Sequence, residues 1–204
     1  MTCWSCQTAV APQDLFCPKC RVLQPEPPQA DLFAALGLDR GYDIDPDELE
    51  RRFRERSRQL HPDRFARASL RERRISLERS TRLNDAYRTL KNARGRAGYL
   101  LKLLGKDPAA EARTHHDPEF LEEQLELREM LALAREKGDQ RALRLIATGA
   151  RDRLAAIDEE VARLFAEAEP GQEALDAILT ALARARYFEN VVAEADPGAP
   201  PAHN

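Results

Sequence analysis

Aromatic residues make up only 6% of the 204-residue chain, and glycine occurs nine times. So little Phe, Tyr and Trp argues against packed sheets, whereas the abundant Ala, Leu, Glu and Arg all suit helix geometry. No apolar run approaches the ~18 residues that a membrane span needs, so no spanning helix is expected. None of the nine glycines sits in a G-x4-G-K-[ST] loop, so the chain is not expected to bind ATP through one. Residues 1–6 carry neither an apolar signal core nor an Arg-rich amphipathic stretch, and the expectation is a soluble intracellular protein.

What is present is charge, at 33% Asp, Glu, Lys and Arg, and it is unevenly spread. Residues 31–105 hold 18 Lys+Arg against 12 Asp+Glu, while residues 106–204 hold 12 against 21. Two regions of opposite sign suggest two partners of different character, or a mutual attraction between the regions themselves.

Punctuation divides the chain further. Gln24-Pro25-Glu26-Pro27-Pro28-Gln29 cannot continue a helix and reads as a stiff linker. A second break spans residues 105–118, and the Pro- and Gly-containing tail after Asp196 is expected to be disordered. Asp45-Pro46-Asp47-Glu48 reads as a helix start, with Asp45 as N-cap and Glu48 completing a capping box. Asp117-Pro118-Glu119 repeats the Asp-Pro signal. Three helical patterns follow: Phe120, Leu127, Met130, Leu131, Ala134; then Leu143, Ile146, Ala150, Leu154, Ile157, Val161, Leu164; then Leu175, Ile178, Leu179, Leu182, Ala185, Phe188, Val192. With turns at Gly138 and Pro170-Gly171, they predict an antiparallel three-helix bundle.

All four cysteines fall in the first 20 residues, as Cys3-x2-Cys6 and Cys17-x2-Cys20. Two such turns supply a tetrahedral set of thiolates, and a region too short to bury a core needs the metal for its folding energy. Zn2+ in a structural role is the expected ion, because four thiolates leave no open position for a substrate. An iron–sulfur cluster on the same four thiolates is the alternative left open. Disulfides do not suit a chain without a secretion signal, and a redox pair would need a βαβ context.

His61-Pro62-Asp63 is a weak signal by itself. It follows a helix expected from about Pro46 to Leu60, which puts Leu49, Phe53 and Leu60 on one side and Arg51, Arg54 and Arg58 on the other. Arg51, Arg52, Arg54, Arg56 and Arg58 meet only Glu50 and Glu55 in this reading. A stripe of one sign beside a rigid loop suggests a docking surface for an acidic partner. No nucleophile, carboxylate pair or phosphate loop accompanies His61, so no enzyme is expected.

A short helix near residues 31–36, the basic helix, the His-Pro-Asp loop and a long helix ending Asn84-Asp85-Ala86-Tyr87-Arg88-Thr89-Leu90 together resemble the J domain of DnaJ-like proteins. The resemblance implies a helical hairpin with Leu49, Phe53, Leu60, Leu83, Tyr87 and Leu90 in its core. It also implies that His61, Pro62 and Asp63 trigger ATP hydrolysis in a DnaK-type chaperone, with Arg51, Arg54 and Arg58 steering the docking.

Downstream, Arg96-Ala97-Gly98-Tyr99-Leu100-Leu101 and the acidic run from Phe120 to Glu129 are similar to HscB, the J protein dedicated to the IscU scaffold of iron–sulfur assembly. This resemblance covers residues 31–194, and the Cys-Trp-x-Cys start resembles the extension of animal mitochondrial members. It implies scaffold-binding roles for Leu121, Leu125, Glu126, Glu129 and Tyr187. Glu122 stands where the family often has Met, and Tyr187 replaces a more apolar aromatic.

The expectation is therefore an all-α protein. It has a four-cysteine zinc-binding knob (1–24), a linker (25–30), a J domain (31–105), a linker (106–116), a three-helix scaffold-binding domain (117–195) and a tail (196–204). The expected partners are an HscA/DnaK-type chaperone and an IscU-type scaffold, with no nucleic acid or membrane. The expected location is the bacterial cytoplasm, or the mitochondrial matrix if the source is eukaryotic. A J protein for unfolded clients is the first alternative. A zinc-ribbon nucleic-acid binder is the second; it is disfavoured by a neutral knob and by aromatics not interleaved with the basic stripe. His115-His116 reads as an exposed loop.

Overall fold

Proline, aspartate and glycine set the helix limits much as their chemistry requires. The computed structural model describes residues 1–108, 118–166 and 171–196. It divides into two compact units, Met1–Asn92 and Ala93–Asn204. Among the described residues there are seven α-helices and no strand longer than an isolated bridge. None of these helices is long and apolar enough to cross a membrane.

In the first unit, α1 (Leu32–Leu36) is capped by Asp31, whose carboxylate accepts from the Ala34 N–H at 2.8 Å. It ends at Gly37, with φ +70°. That left-handed conformation favours glycine, and a Cβ there would also displace the Arg56 guanidinium. The second helix, α2 (Pro46–Leu60), has Asp45 as its N-cap, as expected. Glu48 does not close a capping box; its carboxylate pairs instead with Arg51 and Arg52 at 2.6 and 2.7 Å. The capping box occurs on α3 (Leu70–Lys91), where Ser69 and Glu72 bond each other's backbone N–H.

α2 and α3 pack as a hairpin, with α1 against both. Leu49, Leu60, Leu83 and Leu90 are buried between them, and Phe53 stacks on Tyr87 at 4.1 Å between centroids. The hairpin core is as expected. Residues 25–30, read as a linker, run against α3: Arg82 donates to the Ala30 carbonyl at 3.0 Å and faces Glu26 at 3.4 Å.

In the second unit, α4 (Ala93–Leu103) packs with the C-terminal helices, although the sequence pattern assigns it to the J region. Arg94 holds Asp158 through Nε and Nη2, at 2.7 and 2.8 Å, and Glu189 through Nη1. The three long helices are α5 (Pro118–Glu136), α6 (Gln140–Phe165) and α7 (Gln172–Ala195), with Gly138 at φ +63° in the α5–α6 turn. Leu127, Leu131, Leu143, Leu154, Ile157, Val161, Leu175, Ile178, Leu179 and Phe188 form the buried seam. Two core expectations change: Met130 points out at 52% exposure, and Val191 is buried in place of Val192. Asp117, the His115-His116 pair, Pro170 and the tail from residue 197 lie outside the described residues.

Candidate functional site

The His61-Pro62-Asp63 segment is shaped by the carbonyl that ends α2. Leu60 O accepts from Ser76 Oγ at 2.6 Å and Ser80 Oγ at 2.9 Å, both on α3. An orphan carbonyl at a helix end is thereby satisfied from the facing helix, and the following turn starts from a fixed point. Pro62 opens a 3-10 turn over Pro62–Phe65, anchored inward by buried Phe65. His61 Nδ1 accepts from the Asp63 N–H at 3.3 Å, which leaves the proton of a neutral imidazole on Nε2. The side chains of His61 and Asp63 are 55% and 91% exposed. The tip is presented to solvent.

Behind it, Arg51, Arg54 and Arg58 face outward. The cationic stripe is less bare than the sequence suggests. Arg51 pairs with Glu48 and, at 3.5 Å, with Glu55, while Arg54 pairs with Glu50 at 2.6 Å. The Arg52 and Arg51 guanidiniums hold the Glu48 carboxyl below its ordinary range; the Tyr87 hydroxyl and Arg54 do the same to Glu50. Arg56 turns inward and donates to the carbonyls of Ala34 and Ala35, at 3.3 and 3.0 Å, at the C-terminal end of α1. It braces the fold and leaves the stripe.

On the second unit, Leu121 and Leu125 are 44% and 62% exposed on the outer side of α5, with Glu126 and Glu129 beside them. Leucines so open on a helix with its own buried face ask for an explanation; Met130 and Leu133 are open as well, with Met130 on a different side of α5. Tyr187 lies elsewhere, in the α5–α7 seam. Its hydroxyl donates to the Gln124 carbonyl at 3.0 Å and its ring meets Phe120 and Phe188 edge-on. Burial pushes its phenol above the usual range.

The cysteines converge. All four Sγ atoms lie within 4.8 Å of one another, with Cys3–Cys20 and Cys6–Cys17 both at 3.6 Å. Four thiolates on one zinc at about 2.3 Å have S···S edges of about 3.8 Å, so the cage suits a single tetrahedral ion. The two knuckles repeat one design. Gln7 N bonds Cys3 O, Arg21 N bonds Cys17 O, and Gln7 and Arg21 share a φ of +61°. The Thr8 hydroxyl and backbone N–H pull Cys6 down to about 6. The Val22 N–H lowers Cys20, but burial and the neighbouring sulfurs push it up to about 12. Four sulfurs cannot all be anionic this close without a cation, and a divalent ion would relieve that repulsion.

Residues 116–196 match the family model of the HSCB C-terminal oligomerisation domain. Over 192 residues the chain is 34% identical to the iron-sulfur cluster co-chaperone protein HscB homolog of Arabidopsis thaliana, aligning 94% of this chain with 72% of that protein. The chain belongs to the HscB family of co-chaperones. Among solved structures, human co-chaperone HscB superposes with a TM-score of 0.83 at 29% identity, covering 97% of this chain and 98% of that one. Chaperone HscB from Vibrio cholerae gives 0.69 at 29% identity, covering 83% and 97%.

Three residues of these sites escape sequence reading. Ser76 and Ser80 carry a faint signal, since they stand one turn apart on the buried side of α3. Gln24, buried beside the cysteines, carries none.

Proposed function

We propose that this HscB-family chain is an iron–sulfur cluster co-chaperone acting as an adaptor. Its J region, residues 31–105, recruits an HscA/DnaK-type ATPase; its C-terminal region, residues 117–195, holds an IscU-type scaffold. The observation that carries this reading is the exposed His61-Pro62-Asp63 turn, clamped through Leu60 O at the head of a hairpin with Arg51, Arg54 and Arg58 outside. Arginines at an exposed rim act chiefly on encounter and orientation. The rigid turn then offers a ring donor at His61 Nε2 and an anionic acceptor at Asp63 to the chaperone.

The scaffold is taken by Leu121, Leu125, Glu126 and Glu129, with Tyr187 shaping the patch from the seam. ATP hydrolysis in the recruited chaperone locks it onto the scaffold and promotes cluster transfer. Cys3, Cys6, Cys17 and Cys20 would hold one Zn2+, which offsets half of the four thiolate charges and cross-links the knob. The compartment is the cytoplasm of a bacterium or the mitochondrial matrix.

A steady-state ATPase assay with a DnaK-type chaperone and an IscU-type scaffold tests the adaptor. The intact chain is expected to stimulate hydrolysis, with the scaffold adding to the effect. His61→Gln is expected to abolish stimulation while helix content stays unchanged. Stimulation that survives this substitution would sink the proposal. A scaffold that neither binds nor adds would move the chain to other clients.

A further inference from the structure

Gln24 uses every polar atom it has, although its side chain is fully buried. Its backbone N–H bonds Leu15 O at 2.8 Å, in the loop leading to the second knuckle. Its side-chain Nε2 donates to Val22 O at 2.9 Å and lies 3.4 Å from Cys3 Sγ. Its Oε1 accepts from the Trp4 N–H at 3.4 Å, inside the first knuckle. Its carbonyl accepts from Arg79 Nη1 at 2.9 Å, and Arg79 is a buried residue of α3. One side chain therefore touches a cysteine sulfur and both knuckles, and its backbone touches the long helix of the hairpin.

The surroundings repeat the connection. The Arg71 guanidinium lies over the Trp4 ring at 4.5 Å, and Trp4 Nε1 donates to Leu23 O at 2.8 Å. Arg79 and Arg82, one turn apart on α3, fasten the chain at Gln24 and at Ala30. A buried guanidinium whose acceptor is withdrawn keeps its desolvation cost without compensation. Arg79 thus needs the knob folded as much as the knob needs α3.

We propose that Gln24 and Arg79 couple the four-cysteine site to the J hairpin, so that an ion held by the cysteines braces α3 and, reciprocally, an intact α3 raises affinity for the ion. Gln24 is a positioning residue for Cys3, and Arg79 positions Gln24. Coupling of this kind is reciprocal by linkage. The inference rests on the reading that the cysteines hold one metal ion, and the test separates the two.

The full chain, kept reduced, is titrated with Zn2+ against a chromophoric chelator. Hydrogen exchange is followed with and without the ion over residues 70–91 and, as reference, 140–165. Zn2+ is expected to slow exchange in 70–91 and leave 140–165 unchanged. Gln24→Leu and Arg79→Met are expected to weaken Zn2+ binding about tenfold, the low end of what residues behind metal ligands contribute. If both variants fold poorly, exchange in the unaltered chain still decides the matter. Uptake of Zn2+ with unchanged exchange in 70–91 overturns the coupling alone. Failure to take up Zn2+ overturns the metal reading and the coupling with it.

Discussion

The two units hold themselves together in different ways. The first, Met1–Asn92, is tied by polar bonds that reach across elements: Ser76 and Ser80 to Leu60 O, Arg79 to Gln24 O, Arg56 to α1, Arg82 to Ala30 O. Its exposed tip is small, polar and rigid. The second, Ala93–Asn204, also has polar bonds between elements, from Arg94 to Asp158 and Glu189 and from Tyr187 to the Gln124 carbonyl, but its core is a long apolar seam between α6 and α7, and its open surface carries leucine and methionine. On the proposed reading, directional bonds suit a tip that would present three side chains in one geometry. An apolar seam would suit a platform that keeps one helix face in place.

Substitution of the seam should give the largest effect. Ile178 is fully buried in α7, and Ile178→Ala should cost about 2–5 kcal/mol through lost transfer energy and the cavity left behind. The lowered denaturation midpoint should come with faster hydrogen exchange in 140–165 and unchanged protection in 70–91. Equal loosening of both units would erase the distinction drawn between them.

Leu125→Ala asks the complementary question. Because the side chain is 62% exposed, the fold should shift by no more than about 0.5 kcal/mol. If Leu125 anchors the scaffold, affinity should fall about tenfold, or ~1.4 kcal/mol, in a calorimetric titration. A fall in stability without loss of scaffold binding would return the leucine to the core.

How much of this is legible in the sequence depends on the range of the interaction. The limits of α2, the two Cys-x2-Cys turns and the His-Pro-Asp loop follow from neighbours within a few residues, and all can be read. Glu48 reads as a cap because the spacing allows it, but two arginines one turn ahead compete for the same carboxylate. Ser69-x-x-Glu72 carries the same capping signal, and there no arginine competes for the glutamate. Met130 satisfies the helical period, yet the period cannot say how wide the buried face is. Gln24, Ser76, Arg56 and Arg79 are different in kind: each is a polar residue whose place is set by an element 16 or more residues away, as the Ser76–Leu60 and Arg79–Gln24 bonds show. Apart from the faint signal in the Ser76–Ser80 spacing, local pattern holds no record of such partners.

Ser76→Ala tests the clamp at the tip. Removing a buried hydroxyl from Leu60 O, with Ser80 still bonded there, should cost about 1 kcal/mol in stability. It should also reduce ATPase stimulation, although His61, Pro62 and Asp63 are all retained. Full stimulation by the variant would mean that the turn holds its shape without the α3 bonds.

The smallest effect should come from acid, and its sign differs within the first unit. Glu48 and Glu50 are held below the ordinary carboxylate range in the fold, by Arg52 and Arg51 and by Tyr87 and Arg54. Their contribution is therefore complete above the unfolded value of about 4.3 and is lost as pH falls through the lower folded values. Glu26 runs the other way. Burial raises its carboxyl despite Arg79 and Arg82, so its contribution is complete below about 4.3 and declines as pH rises through the folded value. Taking the chain from pH 5.5 to 3.5 should loosen Pro46–Leu60 relative to residues 140–165, once intrinsic exchange rates are corrected. The contacts of Glu26 should not weaken with it. Because the α2 pairs are exposed, added salt at neutral pH should reproduce part of the loosening. Protection in α2 that stays flat over that range would mean that the arginine–glutamate pairs contribute nothing to holding the stripe in place, and that α2 depends on its apolar face alone.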